Sequence, residues 1–319
     1  MSQVAPVEVD IIEGPSMKNY AICLIVTLAF GLHNSVLADN SKKPSVGKCK
    51  LTIPGHESSQ DLRHQYPKKL LLRLLKVTEQ AYGPCDITEV SVSSQKRIIE
   101  GLKETRIDVA WLPAHSALKD QLLPLEIPIR KGLLGWRLLL IRSEDQEKFS
   151  RIQSLADFKG MRPGFGFDWQ DLPVMKSAFG KVVTGVEYEN LFSMLQERRF
   201  DFLSRAIHEA WTEIELRRKS HPQLVVENHL ALPYKQVDFF YLNKNSQALH
   251  KRLFEGFRSI IRSGSFDRLF YATYKDDIER SKMYRRQIIE LENPNLPTNV
   301  PLEDPQLWIQ LKDSGQTPP

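Results

Sequence analysis

Arg205 directly follows the stretch Phe200-Asp-Phe-Leu-Ser204, and His208 and Glu209 come within the next turn. A guanidinium at the C-terminal end of a strand can hold a carboxylate or phosphate through two parallel hydrogen bonds. The same group can instead close a salt bridge with Glu209, four residues on. His208 and Glu209 either line a cleft beside it or cap the fold. Trp111 lies in a second strand-like run, Ile107-Asp-Val-Ala-Trp-Leu112, with His115 in the loop beyond. An indole and an imidazole there could meet a ligand from the facing side, although core packing explains Trp111 equally well. Trp169 follows the Gly-rich turn Pro163-Gly-Phe-Gly166, among Phe165, Phe167 and Asp168. Backbone N–H groups ahead of a helix could bind an anion here. The turn lacks the Lys-Ser/Thr ending of a nucleotide loop, and Asp168 reads more simply as a turn or cap residue.

Catalytic sets compete poorly with this binding pattern. The sequence has no G-x-S-x-G elbow, and His208-Glu-Ala-Trp-Thr212 lacks the second His of a helical zinc site. Neither metal nor cofactor is expected. Trp136 and Arg137 read as structural. The basic run Arg217-Arg-Lys219 falls at a helix C-terminus, where cations suit the macrodipole.

Strands and helices alternate around these residues. Cys49-Lys-Leu-Thr-Ile53 and Cys85-Asp-Ile-Thr-Glu-Val90 read as strands, with Pro67 to Tyr82 a helix between them. A strand–helix–strand unit makes the two strands parallel. Both cysteines then fall at the same end, within bridging distance; two free buried thiols are the alternative. Ser94 opens a helix bearing Ile98, Ile99 and Leu102. Trp136 to Ile141 is an apolar strand, 188–197 a helix, Phe200 to Leu203 a strand and Ala206 to Arg218 a helix. Val237 to Leu242 is a strand, and Ser246 caps a long helix. Strands separated by helices of this length imply mainly parallel α/β sheets. Beyond Tyr274 the chain turns charged and then Pro-rich, a surface strap ending near Trp308.

The chain has 319 residues, 41% apolar and 26% charged, which is ordinary globular composition. Its net charge of +5 comes from interleaved charges of both signs, unlike the concentrated basic face of a nucleic-acid binder. Near the N-terminus, Met17-Lys18-Asn19 precedes the apolar stretch Tyr20 to Leu32, and Val36-Leu37-Ala38 precedes Asp39. That order describes a secretory signal peptide cut after Ala38; a membrane anchor or a first buried helix is the alternative. Residues 1–16 then read as an upstream extension, and Cys23 is removed with the leader. In an oxidising compartment the remaining cysteines, Cys49 and Cys85, can pair.

Three stretches resemble the bacterial family 3 extracellular solute-binding proteins. They are Ile98-Ile-Glu-Gly-Leu-Lys-Glu-Thr-Arg-Ile-Asp-Val-Ala110; Ser154-Leu-Ala-Asp-Phe-Lys-Gly160, followed by Asn190 to Phe202; and Phe239 to Leu249, followed by Ile260 to Phe270. The resemblance covers about residues 49–275. It implies the type II periplasmic-binding fold: two α/β lobes joined by two hinge strands, with a ligand cleft between them. Lobe one would span about 47–130 and 237–275, lobe two about 138–233, with hinges near 127–138 and 233–240 and the strap at 276–319. It further implies a monomer in the periplasm that captures a small solute for an ABC transporter permease. A ligand-sensing accessory to a membrane sensor, or a periplasmic enzyme on the same fold, are the alternatives. Members that bind amino acids place an Arg after the lobe-one strand and an Asp after the lobe-two strand. Here Trp111-Leu-Pro-Ala-His-Ser-Ala-Leu118 has no Arg, and Arg205 stands where the acid is expected. These departures suggest a small polar, anionic solute held by Arg205, with Trp111, Trp169, His115, His208 and Glu209 as further contacts.

Overall fold

The computed structural model describes residues 49–56, 61–92, 94–309 and 311. The expected upstream extension at 1–16, the leader at 17–38 and its cut after Ala38 lie outside the described residues. Among the described residues, no helix is long and apolar enough to cross a membrane.

The first strand, Cys49–Pro54, pairs in parallel with Cys85–Val90, and Cys49 sits directly opposite Cys85. A disulfide joins them across 4.4 Å between Cα atoms. Helix Gln65–Val77 crosses between the strands and buries Tyr66, Leu70, Leu71, Leu74 and Leu75, the three-and-four spacing of an inward face. The helix expected to run to Tyr82 breaks at Thr78. Its hydroxyl donates back to the carbonyls of Leu74 and Leu75, at 2.8 and 3.1 Å, so the backbone is offered another partner. A separate short turn, Glu79–Tyr82, follows.

Two sheets carry the lobes. In the first, Asp238–Leu242 lies between Val109–Pro113 and Leu123–Leu125, antiparallel to both. In the second, the order is Val183–Gly185, Pro163–Gly166, Phe202–Ala206, Arg137–Arg142, Leu224–Val226. The first three of these are parallel, while Arg137–Arg142 runs against both its neighbours. The first sheet is therefore antiparallel and the second mixed, rather than mainly parallel. The strands that arrive from the opposite lobe, Arg137–Arg142 and Asp238–Leu242, are the ones that run antiparallel.

The first crossing between the sheets is not a continuous strand. It turns through Lys131 and Gly132, both at positive φ, and a 3-10 turn at Leu133–Gly135. The return segment runs beside it. Ile129 N donates to Asp238 O, Tyr234 N to Gly135 O and Leu232 N to Arg137 O, each at 3.0 Å. A Cβ at Gly135 would lie 2.1 Å from the Tyr234 carbonyl, so only glycine permits this approach.

The last long helix continues to Ser281, beyond the Tyr274 limit read from the charged sequence. Its charged turns face solvent while Phe266, Phe270 and Tyr274 are buried. The strap that follows is tied to both crossings. Ile289 N donates to Ala231 O at 3.0 Å, Leu291 N to Pro233 O at 2.8 Å and Ile309 N to Lys131 O at 2.8 Å. The Trp308 ring covers Gly132, where a Cβ would meet it at 2.4 Å.

Candidate ligand cleft

Strand Phe202–Ala206 is buried along its whole length and delivers the chain straight into helix Ile207–Leu216. Arg205, next to last in that strand, is only 2% exposed. Its Nε donates to Glu213 Oε2 at 2.7 Å and its Nη2 to Glu213 Oε1 at 2.6 Å. Nη2 also lies 3.0 Å from Glu209 Oε1. Glu209 and Glu213 are four residues apart on the helix and so present both carboxylates to one guanidinium. The guanidinium carbon of Arg205 lies over Trp169, 4.5 Å from the ring centroid.

Arg137 extends the network. It pairs with Asp171, lies 3.6 Å from Glu209, and donates from Nε to the Tyr234 hydroxyl at 2.7 Å. Tyr234 in turn donates to Asp171 at 2.6 Å. Burial tends to raise the Glu209 carboxyl, but Arg205, His208 and Arg137 outweigh it and hold it down at about 2. Burial pushes the neighbouring His208 down to about 3, with Arg130 adding to the effect. His208 is therefore a neutral imidazole at physiological pH.

A cavity of about 190 Å³ opens beside this network. Arg63 reaches it from the turn ahead of the first helix, Tyr66 from that helix's first turn, and Tyr188 from the second lobe. Helix Ile207–Leu216 contributes His208, Thr212 and Glu213, and the last long helix contributes Tyr274 and Asp277. Arg63 lies 3.9 Å over the Tyr188 ring and so bridges the walls. Asp61 anchors that guanidinium, accepting from Nε at 2.8 Å and from Nη2 at 3.0 Å. Asp61 is fully buried. Burial alone would raise its carboxyl, yet His64 and Arg63 hold it below the usual carboxylate range.

The two lobes also touch through a reciprocal cap. Asp168 Oδ2 accepts from Lys96 N at 3.1 Å, at the start of helix Gln95–Lys103, and Gln95 Oε1 accepts from Gln170 N at 3.1 Å. Asp168 is thus a cap, as its residue type suggests, but for a helix of the other lobe.

Of the residues singled out in the sequence, His208 and Glu209 line the cavity. Arg205 stands behind the lining, with Trp169 packed against it. Trp111 is buried beside His64, with ring centroids 5.3 Å apart, and beside Phe240. It is not among the lining residues, and its contact with His64 sets it behind the segment that bears Arg63 and Tyr66. His115 lies outside the lining, where its Nδ1 accepts from Ala117 N at 3.1 Å. The expected preference for an anion finds no support, because the Arg205 fork is already occupied by Glu213 and Glu209. Sequence reasoning missed Arg63, Tyr66, Tyr188, Glu213, Tyr274 and Asp277. Only Tyr188 and Tyr274 carried a signal, as aromatic residues at helical positions.

No family model matches the chain, and no curated protein sequence matches it. Solved structures do. An ancestral arginine-binding protein bound to arginine superposes with a TM-score of 0.56 at 14% identity, covering 71% of this chain and 99% of that one. An amino acid ABC transporter substrate-binding protein from Streptococcus pneumoniae, bound to L-arginine, gives 0.54 at 13% identity, covering 72% and 95%. A histidine kinase sensor domain with similarity to periplasmic binding proteins gives 0.52 at 13% identity, covering 71% and 96%.

Proposed function

We propose that this chain, which has the two-lobed α/β fold of the type II periplasmic binding proteins, is an exported solute-binding protein that holds a small polar molecule in the cavity between its lobes. The observation that carries this reading is the cavity lined from both sides and bridged by Arg63 over Tyr188. A site between lobes is where hinged proteins of this kind trap ligands. A volume of about 190 Å³ lies below the range of drug-sized pockets and suits a small metabolite. His208 and Glu209 contact the solute in this reading. Arg205 and Trp169 position Glu209 and Glu213 from behind, and Trp111 braces the opposite wall through His64. The leader carries the chain to the periplasm, where it works as a monomer, and its partner is a membrane permease. A membrane sensor is the second reading, favoured by the likeness to a kinase sensor domain.

A thermal-shift screen of the protein against amines, amino acids, organic acids and sugars tests the reading. A ligand that binds only the native state, present at a hundred times its Kd, stabilises by about 2.7 kcal/mol, which reads as a shift of several degrees. Chemical turnover of a compound that gives no shift would point instead to an enzyme.

A further inference from the structure

We infer that the cleft takes a small organic cation that lacks a carboxylate, an amine or a guanidine, seated between Asp277 and the tyrosine rings. This rests on the solute-binding reading and specifies its ligand class.

Two features of the lining lead there. The first is charge. In and behind the wall formed by helix Ile207–Leu216, the carboxylates of Glu209 and Glu213, with Asp171 from ahead of helix Leu172–Phe179, share two guanidiniums, Arg205 and Arg137. On the facing helix, Asp277 lines the cavity half-buried. Its neighbouring cation, Arg280, pairs with Glu215 at 2.5 Å. Burial lifts the Asp277 carboxyl to about 6 against the pull of Arg280, with Glu215 and Asp276 adding to the rise. A cation in the cavity would complete this carboxylate. The second feature is the surrounding surface. Tyr66 and Tyr274 bring aromatic rings to the cavity, and such rings attract ammonium and guanidinium groups, whereas the Tyr188 ring is already covered by Arg63. Tyr66 is 3% exposed, yet its hydroxyl has no hydrogen-bond partner among the described residues. That oxygen can accept from an ammonium or a guanidinium N–H.

The same geometry disfavours a carboxylate on the ligand. Arg63 is the guanidinium among the lining residues, and its Nε and Nη2 are held by Asp61. The Nε and Nη2 of Arg205 are held by Glu213. A ligand carboxylate would meet no open guanidinium fork and would lie near Glu213 and Asp277.

Calorimetric titration with matched pairs tests the inference. The probes are pentylamine against norleucine, diaminobutane against ornithine, and aminobutylguanidine against arginine, with succinate as an anionic control. The amine of at least one pair should bind about tenfold or more tightly than its carboxylated counterpart, the equivalent of one charge-assisted contact. Asp277→Asn should weaken that amine by a similar factor without lowering the melting temperature. If the carboxylated member of each pair binds as tightly, if succinate binds best, or if Asp277→Asn leaves amine affinity unchanged, the inference falls and the solute-binding reading stands. If no compound of any class binds, both fall.

Discussion

Arg205→Ala is expected to destabilise the protein by about 3–5 kcal/mol, the usual consequence of removing one partner from a buried ion pair. Glu209 and Glu213 are 8% and 3% exposed, and without the guanidinium both carboxylates would stay buried without it. The variant also removes the guanidinium that lies over Trp169. For a chain of this size the melting temperature should fall by roughly 5–9 °C. A variant in which Glu209 and Glu213 are also replaced by Gln and Leu should recover part of the loss, since no charge is then stranded. Scanning calorimetry separates the outcomes. If Arg205→Ala melts like the parent, Arg205 is not the structural counter-ion described above.

The second large effect belongs to the disulfide. Replacing both Cys49 and Cys85 with Ala releases a constraint between residues 36 apart in sequence, worth about 3–4 kcal/mol on the chain-entropy estimate. The bridge fastens the strand Cys49–Pro54 to Cys85–Val90, and the segment beyond that first strand supplies Asp61, Arg63 and Tyr66 to the cleft. The denaturant midpoint should drop accordingly, and a reducing agent should lower the parent to the same value. An unchanged midpoint under reduction would mean that the bridge does not stabilise the fold in solution.

Much of the fold follows from local patterning. The strand expected at Trp136 to Ile141 is Arg137–Arg142, and the helix opened by Ser94 begins at Gln95, with the Ser94 hydroxyl accepting from Arg97 N at 3.2 Å. The two cysteines face one another because a strand–helix–strand unit leaves its strands parallel, which their sequence order already dictates. Strand direction elsewhere is not a local property. Whether Asp238–Leu242 runs with or against Val109–Pro113 depends on the chain having crossed to the other lobe and returned. A run of charges after Tyr274 suits an exposed helical face as well as a loop, so charge alone does not locate the end of the last helix at Ser281.

The site was less legible for the same reason. Glu209 is one turn from Arg205, and the sequence alone offers that pairing. The bidentate partner, Glu213, is a turn further on and depends on how sharply the strand enters its helix. The cavity walls come from around residues 62–66, 188, 208–213 and 273–277, which no spacing rule connects. Arg205 looked like a ligand clamp because its position relative to the strand was visible and its neighbours were not.

The most direct measurement of the central claim, that a solute is captured in this cleft, is calorimetric titration of the parent and of Thr212→Trp with the best-binding amine. Thr212 lines the cavity and is partly exposed, so an indole there fills the space without entering the core. One binding site per chain is expected in the parent, and in the variant a loss of affinity of at least about tenfold with an unchanged melting temperature. Equal affinity in the two proteins would place the ligand elsewhere and contradict the account.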